Sequence, residues 1–292
     1  MRQVDFYLPM LRLLFEGLGR QYHILCIGHC AHSPWSHHSG PPVSYEEQIE
    51  AKVRLVTREL PWLLGADEAS SSVLVAGHSV GARIGLELMH RLHREVPFHA
   101  YIGLFPTVMH IAQSPNGVKG APLLRRAPLR KAIFWLVRGL AMLKHVLSER
   151  ALRAVARRIM RRNCPGVDEY YTHVGVKLLD PFIVANVLHM ANDEMVSILG
   201  STDAPVAHAA QYLDPRRVSF VLSPVDKWCD QPIVEQMRAT FPRSSFDMLT
   251  PDVPHAFCLS HAIVEKVVRS MLAAVAQAPS RGSLRAASRS AS

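Results

Sequence analysis

Apolar residues return at helical spacing at Leu8, Leu11, Phe15 and Leu18, and after Gly19 they run together in Tyr22-His23-Ile24-Leu25-Cys26-Ile27-Gly28. The first pattern predicts an opening helix and the second a short buried strand. A polar loop holding Pro34, Pro41 and Pro42 follows. Ile49, Val53 and Leu60 then share one face of a helix over 45–64, and Ser72-Val73-Leu74-Val75-Ala76 reads as a second buried strand. Val80, Ile84, Leu88 and Leu92 recur every four residues on the helix after it, and 99–105 is a third strand. Strand and helix in alternation predict a mostly parallel sheet covered on both faces, an α/β fold.

From about Ser114 to about Leu213 the alternation gives way to long basic and apolar helical stretches, the composition of an inserted helical cap over 114–213. Regular alternation resumes with a strand at 217–222, a helix at 233–241, a strand at 245–249 and a helix at 262–274. Residues 1–113 and 214–278 are therefore expected to form one core. The end, 279–292, is rich in Ser, Arg and Ala with nothing to bury, and reads as a disordered tail.

Composition narrows the picture. With 292 residues, 49% hydrophobic and 20% charged, the chain suits one large globular domain. Its five cysteines are odd in number and form no Cys-x-x-Cys pair, which argues for reduced thiols in a cytosol-facing protein. The start, Met1-Arg2-Gln3-Val4-Asp5, lacks the plan of a secretory signal. Arg12 and Glu16 interrupt the early apolar stretch, and no run reaches the roughly 18 uncharged residues of a spanning helix. Charge is uneven: 119–162 carries thirteen Lys and Arg against one acid, Glu149, while the whole chain is only +9. One block, not the entire surface, is thus suited to an anionic partner.

Candidate chemistry centres on Gly77-His78-Ser79-Val80-Gly81, a Gly-x-Ser-x-Gly pattern between a strand and a helix. Such a turn holds the serine at positive φ, and flanking glycines are expected because side chains two residues away would collide. The following helix aims its N-terminal N–H groups, Val80 first, at the place where an oxyanion would form. A serine hydroxyl needs a base, and the base needs an acid to fix its tautomer. Asp226 follows the strand at 217–222, and His255 follows the strand at 245–249, in the chain order Ser, Asp, His. Asp230 and Asp252 are rivals for the acid. His78 is expected to be a packing residue that the turn aims away from Ser79. The cluster His29, Cys30 and His32, with His37 and His38, lacks a carboxylate at ligand spacing, so no metal and no cofactor are expected.

These residues, with Phe105-Pro106-Thr107, Ser114-Pro115-Asn116-Gly117, the run Asp180 to Asn186 and Pro254-His255-Ala256-Phe257, resemble the lipid-droplet-associated serine hydrolase family of the α/β-hydrolase fold. The similarity runs from about Tyr7 to about Ser270. It implies Ser79 as nucleophile, Asp226 as acid, His255 as base, and a neutral-lipid ester such as a sterol ester as substrate. It also implies a location on lipid droplets and the endoplasmic reticulum. The family carries further strands and a loop resembling Pro-Gly-Asn-Pro-Gly before the opening helix, which would supply the second oxyanion donor. The expectation is therefore an N-terminally shortened chain, with a sheet lacking its first strands and half of its oxyanion hole.

The basic block leaves two roles open. Ile133-Phe134-Trp135-Leu136-Val137 and the apolar residues at 140–147 lie among its cations, as in an interfacial helix that buries one face in lipid. A cap helix covering the site with its charges solvated is the alternative. Nucleic acid is not the expected partner, since only Phe134 and Trp135 could stack. Two functions follow: a serine esterase acting on neutral lipid at a droplet or membrane surface, or a lipid-surface protein that keeps the scaffold without turnover.

Overall fold

The computed structural model describes residues 3–33, 41–65, 72–142, 147–178 and 180–278. The tail expected at 279–292, and Pro34, His37 and His38, lie outside the described residues. Among these described residues four strands, β1 (Val73–His78), β2 (Phe98–Leu104), β3 (Val218–Leu222) and β4 (Ser245–Met248), form a parallel sheet in chain order. Parallel neighbours need crossovers, and helices supply them. Helix α3 (Val80–Arg91) joins β1 to β2, and α10 (Gln231–Thr240) joins β3 to β4. Among the described residues the crossover from β2 to β3 carries six α-helices instead: α4 (Pro115–Arg125), α5 (Ala127–Met142), α6 (Glu149–Arg161), α7 (Glu169–Lys177), α8 (Pro181–Ser197) and α9 (Ala204–Tyr212). Helices α1 (Leu8–Gly17) and α2 (Tyr45–Leu64) precede the sheet, and α11 (His261–Gln277) follows it.

Side-chain alternation sends each strand's residues into two layers. Ile102, Leu104 and Val221 join Met10, Leu14, Val264 and Val267 of α1 and α11 on one face. Tyr101, Val218, Phe220 and Leu222 meet Leu86, Ile233 and Met237 on the other. Every residue of β3 is buried, which is why its sequence reads as an unbroken apolar run. Ser44 caps α2 through a reciprocal pair with Glu47, fixing the start of that helix at the residue its periodicity suggests.

One expected strand is absent. Residues 22–28 belong to no ladder among the described residues, and β1 ends the sheet on that side. Ile24 packs with the α1 and α11 cluster while Ile27 packs with the α2 and α3 cluster, so the side chains diverge as a strand's would. Apolar patterning decides which side a residue faces, but a ladder also needs hydrogen bonding to a neighbour in register, and none is formed here among the described residues.

The helices of 114–213 reach all three apolar clusters. Cys164, Val167 and Tyr171 enter the first, Val206 and Ala209 the second, and Ala121, Met190 and Met195 the third. Polar ties accompany them. Asn186 on α8 accepts from the Val43 backbone at 2.8 Å, and Asp193 accepts from the Tyr45 backbone at 3.2 Å. Arg83 of α3, only 3% exposed, donates to Asp203 at 2.9 Å, to Glu87 at 3.3 Å and to the Val108 carbonyl at 3.0 Å. Such a buried cation is tolerated because two carboxylates and a carbonyl replace its water.

Candidate active site

Three loops at the carboxyl ends of parallel strands converge on Ser79. The residue follows β1 at φ 55° and ψ −126°, in the positive-φ region expected of the turn. One bond from the sheet and one from the helix hold it there: its N–H donates to the Leu104 carbonyl of β2 at 3.0 Å, and its own carbonyl accepts from the Ala82 N–H of α3 at 3.0 Å. A serine preceding a helix commonly spends its hydroxyl on capping that helix, whereas Ser79 makes no side-chain cap bond. Its Oγ is turned instead toward His255.

Steric demand is unequal at the two glycines. A Cβ on Gly77 would sit 2.2 Å from the Gly81 carbonyl oxygen, so this position must stay glycine. A Cβ on Gly81 would meet nothing within 4 Å. The expected collision on both sides therefore exists on one side only, because the turn folds the helix backbone over Gly77 while the Cα–H of Gly81 points away from it.

Asp226 lies in the turn after β3, 4% exposed, with Oδ1 accepting from the Trp228 N–H at 2.8 Å. Its Oδ2 is 2.8 Å from Nδ1 of His255, which follows β4. The Nε2 of the same ring is 3.0 Å from Ser79 Oγ. A carboxylate only accepts, so Nδ1 carries the proton and Nε2 offers a lone pair to the serine O–H. The structure thus brings Ser79, His255 and Asp226 into one chain of hydrogen bonds. The rival acids stand elsewhere: Asp252 bonds Thr250 and Lys266, and Asp230 precedes α10.

Val80 opens α3 directly after the serine and is buried, which places its N–H at the helix's positive end beside Oγ. His29 and His32 stack with ring centroids 5.3 Å apart, and His32 Nδ1 pairs with the Cys30 carbonyl at 2.8 Å. No group of three or more His, Cys, Asp or Glu side chains arranged for a metal occurs among the described residues.

Sequence reasoning missed two neighbours of the base. His78 does point away from Ser79, yet its Nε2 is 3.0 Å from the His255 carbonyl oxygen, and its Nδ1 is 2.6 Å from the Tyr7 hydroxyl. Position x of a Gly-x-Ser-x-Gly pattern was the available signal for His78. Nothing local could have marked Tyr7, which is 71 residues away along the chain.

A sequence profile described as lipid-droplet associated hydrolase matches residues 3–258. The chicken (Gallus gallus) lipid droplet-associated hydrolase is 26% identical over 264 residues, covering 87% of this chain and 76% of its own length. The human (Homo sapiens) one is 21% identical over 259 residues, covering 86% and 75%. Among solved structures, a meta-cleavage product hydrolase superposes with a TM-score of 0.60 at 8% identity, covering 94% of this chain and 86% of that one. A serine hydrolase from Cycloclasticus zankles gives 0.56 at 13% identity, covering 94% and 84%. At such identities the structures establish the fold alone, and it is the α/β-hydrolase fold.

Proposed function

The chain belongs to the lipid-droplet-associated hydrolase family, and from that premise we propose that it is a serine ester hydrolase whose Ser79 forms an acyl-enzyme with neutral-lipid esters at a droplet or endoplasmic reticulum surface. The observation that carries this reading is the continuous chain Ser79 Oγ to His255 Nε2 at 3.0 Å and His255 Nδ1 to Asp226 Oδ2 at 2.8 Å. In the reaction His255 takes the Ser79 proton as Oγ attacks the ester carbonyl. Asp226, buried and already bonded to Trp228 N–H, balances the imidazolium. The tetrahedral oxygen gathers negative charge beside the Val80 N–H. Collapse expels the alcohol with the proton from His255, and water then cleaves the acyl-enzyme by the same path in reverse.

Residues 1–113 and 214–278 are the hydrolase core in this reading, and 114–213 is a cap that meets lipid through 119–162. On α5, Trp135 and Leu136 are 64% and 65% exposed; on α6, Val155 and Ile159 are 47% and 52% exposed. An open groove of about 920 Å³ runs along α6, lined by Arg150, Arg153, Arg157, Arg158 and Arg161 together with Glu149 and Glu169. Apolar side chains flanked by guanidinium groups suit a monolayer, where the former enter acyl chains and the latter meet headgroup phosphates. No single helix among the described residues is long and apolar enough to cross a membrane. Neutral esters such as sterol esters, which partition into droplets, are the substrates such a placement would meet.

A fluorophosphonate probe tests the chemistry. Labelling of the wild type that vanishes in Ser79→Ala, Asp226→Asn and His255→Ala is expected. Folded wild type that takes no label would leave the scaffold as a lipid-surface protein without turnover.

A further inference from the structure

The elbow carries a second histidine whose bonds reach the base from behind. His78 ends β1 immediately before Ser79, and its ring lies 5.1 Å from the ring of His255. A carbonyl oxygen can only accept, so the 3.0 Å contact with the His255 carbonyl requires the proton on His78 Nε2. Nδ1 then presents a lone pair, and the Tyr7 hydroxyl at 2.6 Å donates to it. One tautomer satisfies both ends. The other would set a lone pair against the carbonyl oxygen.

The surroundings keep that tautomer neutral. Phe257 and Phe105 meet the His78 ring edge-on at 4.9 Å and 6.0 Å. Burial, and then the neighbouring His255, push His78 down to about 3, so it stays uncharged while His255 gains and loses a proton. Burial likewise holds the Tyr7 phenol well above its ordinary value, which preserves it as a donor.

We propose that Tyr7 and His78 are positioning residues for the base: Tyr7 selects the His78 tautomer, and His78 ties the His255 main chain to the turn that holds the nucleophile. The inference rests on the reading of Ser79 and His255 given above. Its physical content is that consecutive residues grip the base at two points, His78 at its carbonyl and Ser79 at its ring. The distance from Oγ to Nε2 is thereby set by one rigid dipeptide rather than by the loop after β4. Misplacing a reacting group by about 1 Å costs on the order of 10²-fold in rate, so such a tie has a measurable effect.

The test uses the full chain with a soluble short-chain p-nitrophenyl ester and the fluorophosphonate probe. Tyr7→Phe should lower kcat about ten-fold and His78→Leu about a hundred-fold, each with KM changed less than about two-fold. His78→Gln places an amide N–H near the position of Nε2 and needs no tautomer. It should restore most of kcat, and adding Tyr7→Phe to it should then have no effect, which a packing role alone would not produce. Folded His78→Leu protein that labels at the wild-type rate overturns the relay, as does Gln no better than Leu. Should His78→Leu fail to fold, Tyr7→Phe alone and within His78→Gln gives the same decision.

Absence of Ser79-dependent labelling in wild type would instead sink the hydrolase reading. The imidazole nitrogen resonances of His78 then decide the relay independently: a proton on Nε2 in wild type, with both tautomers in Tyr7→Phe, supports it. A proton on Nδ1 in wild type overturns it.

Discussion

The sheet with α3 and the helical segment between β2 and β3 obey different packing rules. In α3 nine of twelve residues are buried, including Arg83 and Glu87, because the helix is enclosed by the sheet, α2 and α9. In α6 only Leu152 and Ala156 are buried, although the helix is longer. Several large apolar side chains of the segment, Val118, Trp135, Leu136, Phe182 and Leu199 among them, are 60% exposed or more. Burial on all sides fixes the Ser79 turn to within hydrogen-bond tolerance. A surface helix with one anchored edge leaves its remaining apolar groups available to another phase, as a lipid monolayer would require.

That contrast can be broken from either side. The largest effect is expected at Gly77→Ala, where the new Cβ would lie 2.2 Å from the Gly81 carbonyl oxygen. It should cost more than about 4 kcal/mol or yield no folded protein, as read by denaturant melts. Next is Arg83→Met, which strands Asp203 and Glu87 without their shared cation. Breaking such a buried pair should cost about 3–5 kcal/mol, and if the loss is below 1 kcal/mol the enclosure of α3 is overstated.

A pH series sharpens the boundary where α8 meets α2. Burial, and then Asp193, push Glu194 up to about 8 from an ordinary 4.5. A folded-state value above the unfolded one means that its contribution is fully present below pH 4.5 and is lost as pH rises through about 8. Glu194→Gln should therefore be neutral near pH 4 and stabilising by about 4 kcal/mol at pH 8.5. An equal shift in melting temperature at both pH values would contradict this.

Smaller effects are expected in the exposed segment. A Cβ on Gly120, inside α4, would meet nothing within 4 Å, so Gly120→Ala should stabilise by about 0.5–1 kcal/mol, opposite in sign to Gly77→Ala. The pair Trp135→Ser and Ile159→Ser should change stability by less than about 0.5 kcal/mol each while lowering flotation with phospholipid-coated oil droplets several-fold. Unchanged flotation would remove α5 and α6 from the lipid contact.

The ability to read this molecule from its residues varied with how local the cause was. The Ser44 cap and the four-residue rhythm of Val80, Ile84 and Leu88 act within a few residues, and they mark α2 and α3 closely. The turn at Ser79 was visible because its strain leaves a glycine signature, although Gly81 proved sterically free. Asp226 and His255 could be located by their positions after β3 and β4, with Asp230 and Asp252 as rivals for the acid, and it is Asp226 that makes the 2.8 Å contact. Residues 22–28 carried a strand's pattern without a strand's pairing. Arg83 and Asp203, 120 residues apart, left no trace in either local sequence.

Periodicity, sterics and charge over short spans were enough to set the run from α2 to β2 and from β3 to α11, the parallel α/β scheme, the positive-φ turn at Ser79 and the basic block at 119–162. Only the tertiary structure decided which aspartate meets His255, that Tyr7 reaches His78, and that a buried arginine joins α3 to the helical segment. Those are pairings across tens to more than a hundred residues, and a directional hydrogen bond exists only once folding has set two distant groups within about 3 Å of each other.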